Sequence, residues 1–143
     1  MPNTQTTDPV QSYNRAVLLD ALRAVGAATA VISYFGYGDS GNANEIQIYD
    51  AGSEEVSGDQ TVSIMREDAR YVDGQWQSTH AMVDMSLRDA LDAFGDRAVS
   101  FHHPGFENNE GGDGEITFDC IAGTVLMAHR DHYFEHIHTD TDL

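Results

Sequence analysis

Ala30-Val31-Ile32-Ser33-Tyr34-Phe35-Gly36-Tyr37, then Gly38-Asp39-Ser40-Gly41-Asn42, then Glu45-Ile46-Gln47-Ile48-Tyr49, is the stretch whose reading decides the fold. Its first part is β-branched and aromatic and reads as a strand. The middle reads as a turn, because glycine tolerates positive φ and Asp and Ser bond their own backbone. The last part alternates, with Ile46 and Ile48 on one side and Glu45, Gln47 and Tyr49 on the other. That alternation predicts a second, half-buried strand antiparallel to the first.

Upstream, Asp8-Pro9-Val10-Gln11 supplies an N-cap acid, a proline at the first helical position and a Gln three residues after the cap. Val10, Tyr13, Val17, Leu18, Ala21, Leu22 and Val25 recur at helical spacing up to Gly26, which predicts an amphipathic helix over about residues 9–25. Downstream, Thr61 to Met65 reads as a strand, and Asp73-Gly74 as the turn of a hairpin joining Arg70-Tyr71-Val72 to Gln75-Trp76-Gln77. Val83, Leu87, Ala90, Leu91, Phe94 and Ala98 return to the helical period. They predict a second helix over about residues 82–100, ended by Pro104; Ser86 and Asp89 form a capping pair a turn inside that start. Ile116, Phe118 and Cys120 alternate against Thr117 and Asp119, and Ala122-Gly123 turns the chain into apolar Thr124 to Ala128, a further hairpin. The pattern predicts one α+β domain over residues 1–143, with two helices packed on one face of a mainly antiparallel sheet of four to six strands. Residues 1–7 are a polar N-terminal tail, and residues 130–143 a His/Asp-rich tail without a clear period.

Composition narrows the function classes. The 143 residues include 24 Asp and Glu, seven Arg, no Lys and seven His, for a formal charge of −17. Such a chain lacks the cations that hold phosphates, so direct binding to nucleic acid or to an anionic membrane is not expected. No apolar run reaches the roughly 18 residues of a membrane span, and the N-terminus has no signal-peptide core, so a cytoplasmic location is expected. The single cysteine, Cys120, forms no intrachain disulfide, which fits a reducing compartment.

Tyr34-Phe35-Gly36-Tyr37-Gly38-Asp39-Ser40-Gly41, Ser86-Leu87-Arg88-Asp89-Ala90-Leu91 and His103-Pro104-Gly105-Phe106-Glu107-Asn108-Asn109-Glu110-Gly111-Gly112-Asp113-Gly114-Glu115 belong together. In this order they resemble an uncharacterised bacterial domain family met on plasmids and other mobile elements, over most of residues 15–130. The resemblance implies a single α+β domain and supplies no reaction and no catalytic residues. Its mobile-element setting implies a role in conflict with host or phage.

Several constellations invite chemistry. Gly38-Asp39-Ser40-Gly41 looks like the nucleophile segment of trypsin-like proteases, but all seven His follow Ser40, against that family's chain order, and the chain is too short for a double barrel. Asn108, Asn109, Glu110, Asp113 and Glu115 crowd oxygen ligands between glycines, without the spacing of an EF-hand. His129, His132, His136 and His138 could bind Zn²⁺ or another divalent metal, which gives an alternative function as a metal-binding protein or metal-dependent hydrolase with Glu135 or Asp131 as base. A third reading is a subunit whose apolar surface around Tyr71, Trp76 and Phe106 completes an assembly.

The charge carries the leading expectation. Asp outnumbers Glu 16 to 8, which fits salt adaptation of the composition as well as a specific role. The specific role is a non-enzymatic protein, with no cofactor, whose acids occupy a Lys/Arg-rich surface of a nucleic-acid-handling protein by imitating its ligand. Asp39, Glu110, Asp113 and Asp119 are expected to form one acidic cluster. Asp89, Asp92 and Asp96, spaced i, i+3 and i+7 on one helix face, form the other.

Overall fold

The computed structural model describes residues 8–37, 40–41, 44–102, 112–131 and 137–143. Helix α1 (Pro9–Ala24) starts where the cap predicts: the Asp8 carboxylate accepts the Val10 N–H at 3.2 Å, and Gly26 leaves the helix at φ 79°. Its apolar stripe buries Val10, Leu18, Leu19 and Leu22. Strand β1 (Ala27–Tyr37) lies inside a six-stranded, fully antiparallel sheet. The short β2 (Ser40–Gly41) and β3 (Glu45–Asp50) share one edge of β1, and β6 (Gly112–Asp119), β7 (Thr124–Asp131) and β8 (Ile137–Asp142) follow on the other.

Alternation along the strands sends every second residue into one core. Ala30, Ile32, Ile48, Ile116, Phe118, Val125 and Met127 have no exposed surface, and they pack with Leu18 and Leu22 of α1 and Leu87, Leu91 and Phe94 of α2 (Leu87–His102). Phe94 meets Phe118 edge to face at 5.2 Å. The architecture is the expected α+β domain, two helices with a mainly antiparallel sheet.

Three boundaries differ from the sequence reading. Helix α2 begins at Leu87 rather than 82, because the Ser86 hydroxyl accepts the Asp89 N–H at 3.1 Å and fixes the start. Val83 and Met85 instead pair with Ile64 and Val62 across a ribbon, so Val83 reflects strand alternation. The strand at 61–65 and the hairpin at 70–77 are one object: β4 (Thr61–Val72) and β5 (Gln75–Ser86) pair over twelve unbroken positions as a separate two-stranded sheet. Asp73 (φ 53°) and Gly74 (φ 80°) make its tip, both left-handed as a two-residue type I′ turn requires. Finally, the tail contributes β8, which pairs with β7 from Leu126 to Asp131.

Only the root of the ribbon is buried, through Val62 and Ile64. Asn14 of α1 holds it there by pairing with the Met65 backbone: its Nδ2 donates to the Met65 carbonyl at 2.9 Å, and its Oδ1 accepts the Met65 N–H at 2.7 Å. Arg97 of α2 adds a staple, bonding both Asp8 oxygens (2.5 and 3.0 Å) and Glu67 of β4 (3.0 Å). Burial raises the pKa of Asp8, but the Arg97 hydrogen bond and charge, with backbone N–H donors, outweigh it and hold the carboxyl below its usual value.

Candidate acidic binding surface

Helix α2 presents Asp89, Asp92 and Asp96 along its outer side, over about 10 Å of axis between the first and last. Asp89 stands in the first turn, where a carboxylate complements the helix dipole. Asn44, just before β3, joins the other two: its Nδ2 donates to Asp92 Oδ1 at 2.8 Å and to Asp96 Oδ1 at 3.0 Å. Partial burial raises the Asp96 pKa and the Asp92 charge adds to it, while the Asn44 bond opposes both. A 370 Å³ depression lies beside this row, lined by Asn44, Glu45, Ile46, Arg88, Asp89 and Asp92. Arg88 brings a positive charge to its wall, held in place by its Nη1, which donates to the Ile46 carbonyl at 2.6 Å.

Glu45 carries the acidic character onto the sheet. In the strand register Ser33 stands between Glu45 of β3 and Glu115 of β6, and Phe35 stands opposite Asp113. Two inter-strand spacings separate Glu45 from Glu115, about 10 Å. Asp113 also stands opposite Arg130 in β7. Glu45 was absent from the sequence expectation, and Glu115 entered it only as an oxygen ligand of the Gly-rich loop. Their alternation was legible, but which strands neighbour which was not.

The other expected acids divide. Asp113 and Asp119 occupy opposite ends of β6, about 20 Å apart, so the structure does not bring them together. Asp119 is exposed, and its Oδ1 accepts the N–H groups of Ile121 and Ala122 (3.1 and 3.0 Å), capping the β6–β7 turn. Asp39 and Glu110 lie outside the described residues. The strands leading into their two Gly-rich motifs do meet, with Gly36 opposite Gly112.

Two register positions from that junction, Tyr34, Gly114 and His129 stand side by side on β1, β6 and β7. Gly114 has no Cβ to block the Tyr34 ring, which lies across it and shares a 2.8 Å hydrogen bond with His129 Nδ1. The two rings stack at 5.7 Å, and His129 is fully buried. Of the other candidate metal ligands, His132 and His136 lie outside the described residues, and His138 stands opposite Arg130 in the register. Among the described residues no three His, Cys, Asp or Glu side chains are grouped to hold a metal ion. A larger concavity of 440 Å³ lies between α1, α2 and the ribbon root, walled by Val10, Ile64, Met85 and Phe94.

Fold and surface together define a small α+β domain with an acidic flank and a projecting ribbon. The chain belongs to a family of unknown function, DUF6878, which it matches over residues 10–141. No curated protein and no solved structure matches it. No described helix is long and apolar enough to cross a membrane.

Proposed function

We propose that the chain is a non-enzymatic cytoplasmic protein that acts by contact with a basic partner. Its acidic flank occupies the Lys/Arg-rich, nucleic-acid-binding surface of a defence or restriction protein, in the service of a bacterial mobile element. The observation that carries this reading is the acidic row of α2, which Glu45 extends at the β3 edge. Among the described residues, Arg15, Arg23 and Arg88 donate to backbone carbonyls, Arg66 pairs with Asp68, and Arg97 with Asp8 and Glu67. Asp89, Asp92 and Glu45 line one open depression with Arg88, and Asn44 ties Asp96 to Asp92 beside it.

Charge density decides how large the contact is. Duplex DNA carries one charge per about 1.7 Å of axis, or about six over the length on which α2 offers three. The helix alone is therefore too sparse to replace DNA, so Glu45 at the β3 edge must join it, with Glu115 and Asp113 extending the contact around that edge onto the sheet face away from the helices. Asp39 and Glu110 complete the proposed set, whereas Asp119, capping the turn at the far end of β6, stands apart from it. The test is a tagged pull-down from source or phage-infected lysate, washed at low and high salt, with duplex DNA as competitor. The expected result is a nucleic-acid-binding partner released by salt and displaced by DNA. A partner that ignores both contradicts the reading.

A further inference from the structure

We propose that the β4 edge of the ribbon pairs with the same edge of a second copy, antiparallel about Ala69, to form a four-stranded sheet shared by two chains. The Met65 N–H and carbonyl both bond Asn14, so they point away from β5. The Gln60 carbonyl, bonded to the Leu87 N–H, points the other way. By strand alternation the N–H and carbonyl groups of Glu67, Ala69 and Tyr71 face outward, and among the described residues nothing pairs with them. This edge has no proline and no bulge, and its protection against indiscriminate pairing is the charge of Arg66, Glu67, Asp68 and Arg70.

Charge selects both the partner and the register. A two-fold pairing centred on Glu67, Asp68 or Arg70 sets that residue against its own copy, two like charges face to face. Centred on Ala69, the pairing sets Asp68 opposite Arg70 of the second chain, and the reverse, in the close non-hydrogen-bonded positions. The same register makes Ala69–Ala69 and both Glu67–Tyr71 pairs hydrogen-bonded, which matches the outward groups. Among the described residues Arg70 forms no ion pair within its own chain, whereas Asp68 holds Arg66 at 3.0 Å. The exposed Tyr71–Trp76 pair of each ribbon (61% and 72% exposed) falls on one face of the joint sheet. Repulsion between the acidic bodies does not veto the pairing. Eight residues separate Met65 from Asp73, so the two roots stand about 27 Å apart, beyond the screening length of about 10 Å at 0.1 M salt.

Sedimentation of the full chain across a concentration series tests this. The wild type is expected to form a dimer of twice the 15.7 kDa chain mass. Asp68→Arg sets Arg against Arg twice and should weaken dimerisation at least about tenfold, while Asp68→Arg with Arg70→Asp restores it. Ala69→Pro should weaken it comparably, and because that N–H faces away from β5 the hairpin keeps its own bonds. Circular dichroism checks that each variant is folded. A chain that stays monomeric throughout, or a dimer indifferent to Asp68→Arg and Ala69→Pro, overturns the proposal.

Discussion

Replacing Gly114 by Ala should damage the domain more than any other single-carbon change in the sheet. A Cβ there would lie 2.2 Å from the Ala128 carbonyl oxygen, 2.4 Å from the Tyr34 hydroxyl and 2.7 Å from its ring carbon. All three are inside 3 Å, and the nearest is backbone of a paired strand, which cannot swing aside without opening the β6–β7 ladder. Overpacking of this kind costs about 1–3 kcal/mol. Displacing Tyr34 also breaks its bond to a fully buried His129, adding about 1–3 kcal/mol for the stranded polar group. Alanine's lower unfolded-state entropy returns about 0.5–1 kcal/mol. The net expectation is a loss of about 3 kcal/mol, or about 10 °C in midpoint for a domain of this size. Urea denaturation followed by circular dichroism reads it directly. Tyr34→Phe alone keeps the ring and loses the hydroxyl, so it should cost about 1–2 kcal/mol. Combined with Gly114→Ala it should cost less than the sum, because both act on one contact. A Gly114→Ala protein within about 0.5 kcal/mol of wild type would refute the placement of Tyr34 over Gly114.

Two further expectations concern charge. Arg97→Met leaves the buried Asp8 without its counterion and should cost about 2–3 kcal/mol at neutral pH, less than a fully buried pair because Arg97 is partly exposed. Asp8 has a lowered folded pKa, so its stabilisation is present above the unfolded value near 3.9 and is lost as pH falls through the folded one; the wild-type advantage over Arg97→Met should therefore vanish in acid melts. Asp96 has the opposite sign. Its pKa is raised, so ionising it costs stability as pH climbs from the unfolded to the folded value. Asp96→Asn keeps an acceptor for Asn44 and should leave the neutral-pH midpoint equal to or above wild type, with a flatter profile above pH 4; a clear loss there would contradict the crowding of Asp92 and Asp96.

Local signals in the sequence were strong where one element sufficed. The Asp8 cap, Gly26 and the period between them place α1 to within a residue, and the Ile46/Ile48 alternation gives β3. The ribbon was harder, because Val83 and Leu87 happen to fall at helical spacing while belonging to a strand and a helix. Only the Ser86 cap marked the boundary, and it competed with that period. The outer row of Asp89, Asp92 and Asp96 followed from i, i+3, i+7 spacing. Asn44, which ties two of them, carried no signal, since its role depends on β3 starting beside α2. Tyr34 and His129 are 95 residues apart and meet only because β1, β6 and β7 are neighbours.

The proposed contact is tested most directly by the salt dependence of binding to the captured partner, measured for wild type and for the triple variant Asp89→Asn, Asp92→Asn, Asp96→Asn. An acidic flank seated on a basic surface predicts that log affinity falls steeply with log salt concentration, and that the folded triple variant binds more weakly with a shallower slope. A slope near zero for the wild type, or one unchanged in the triple variant, contradicts it.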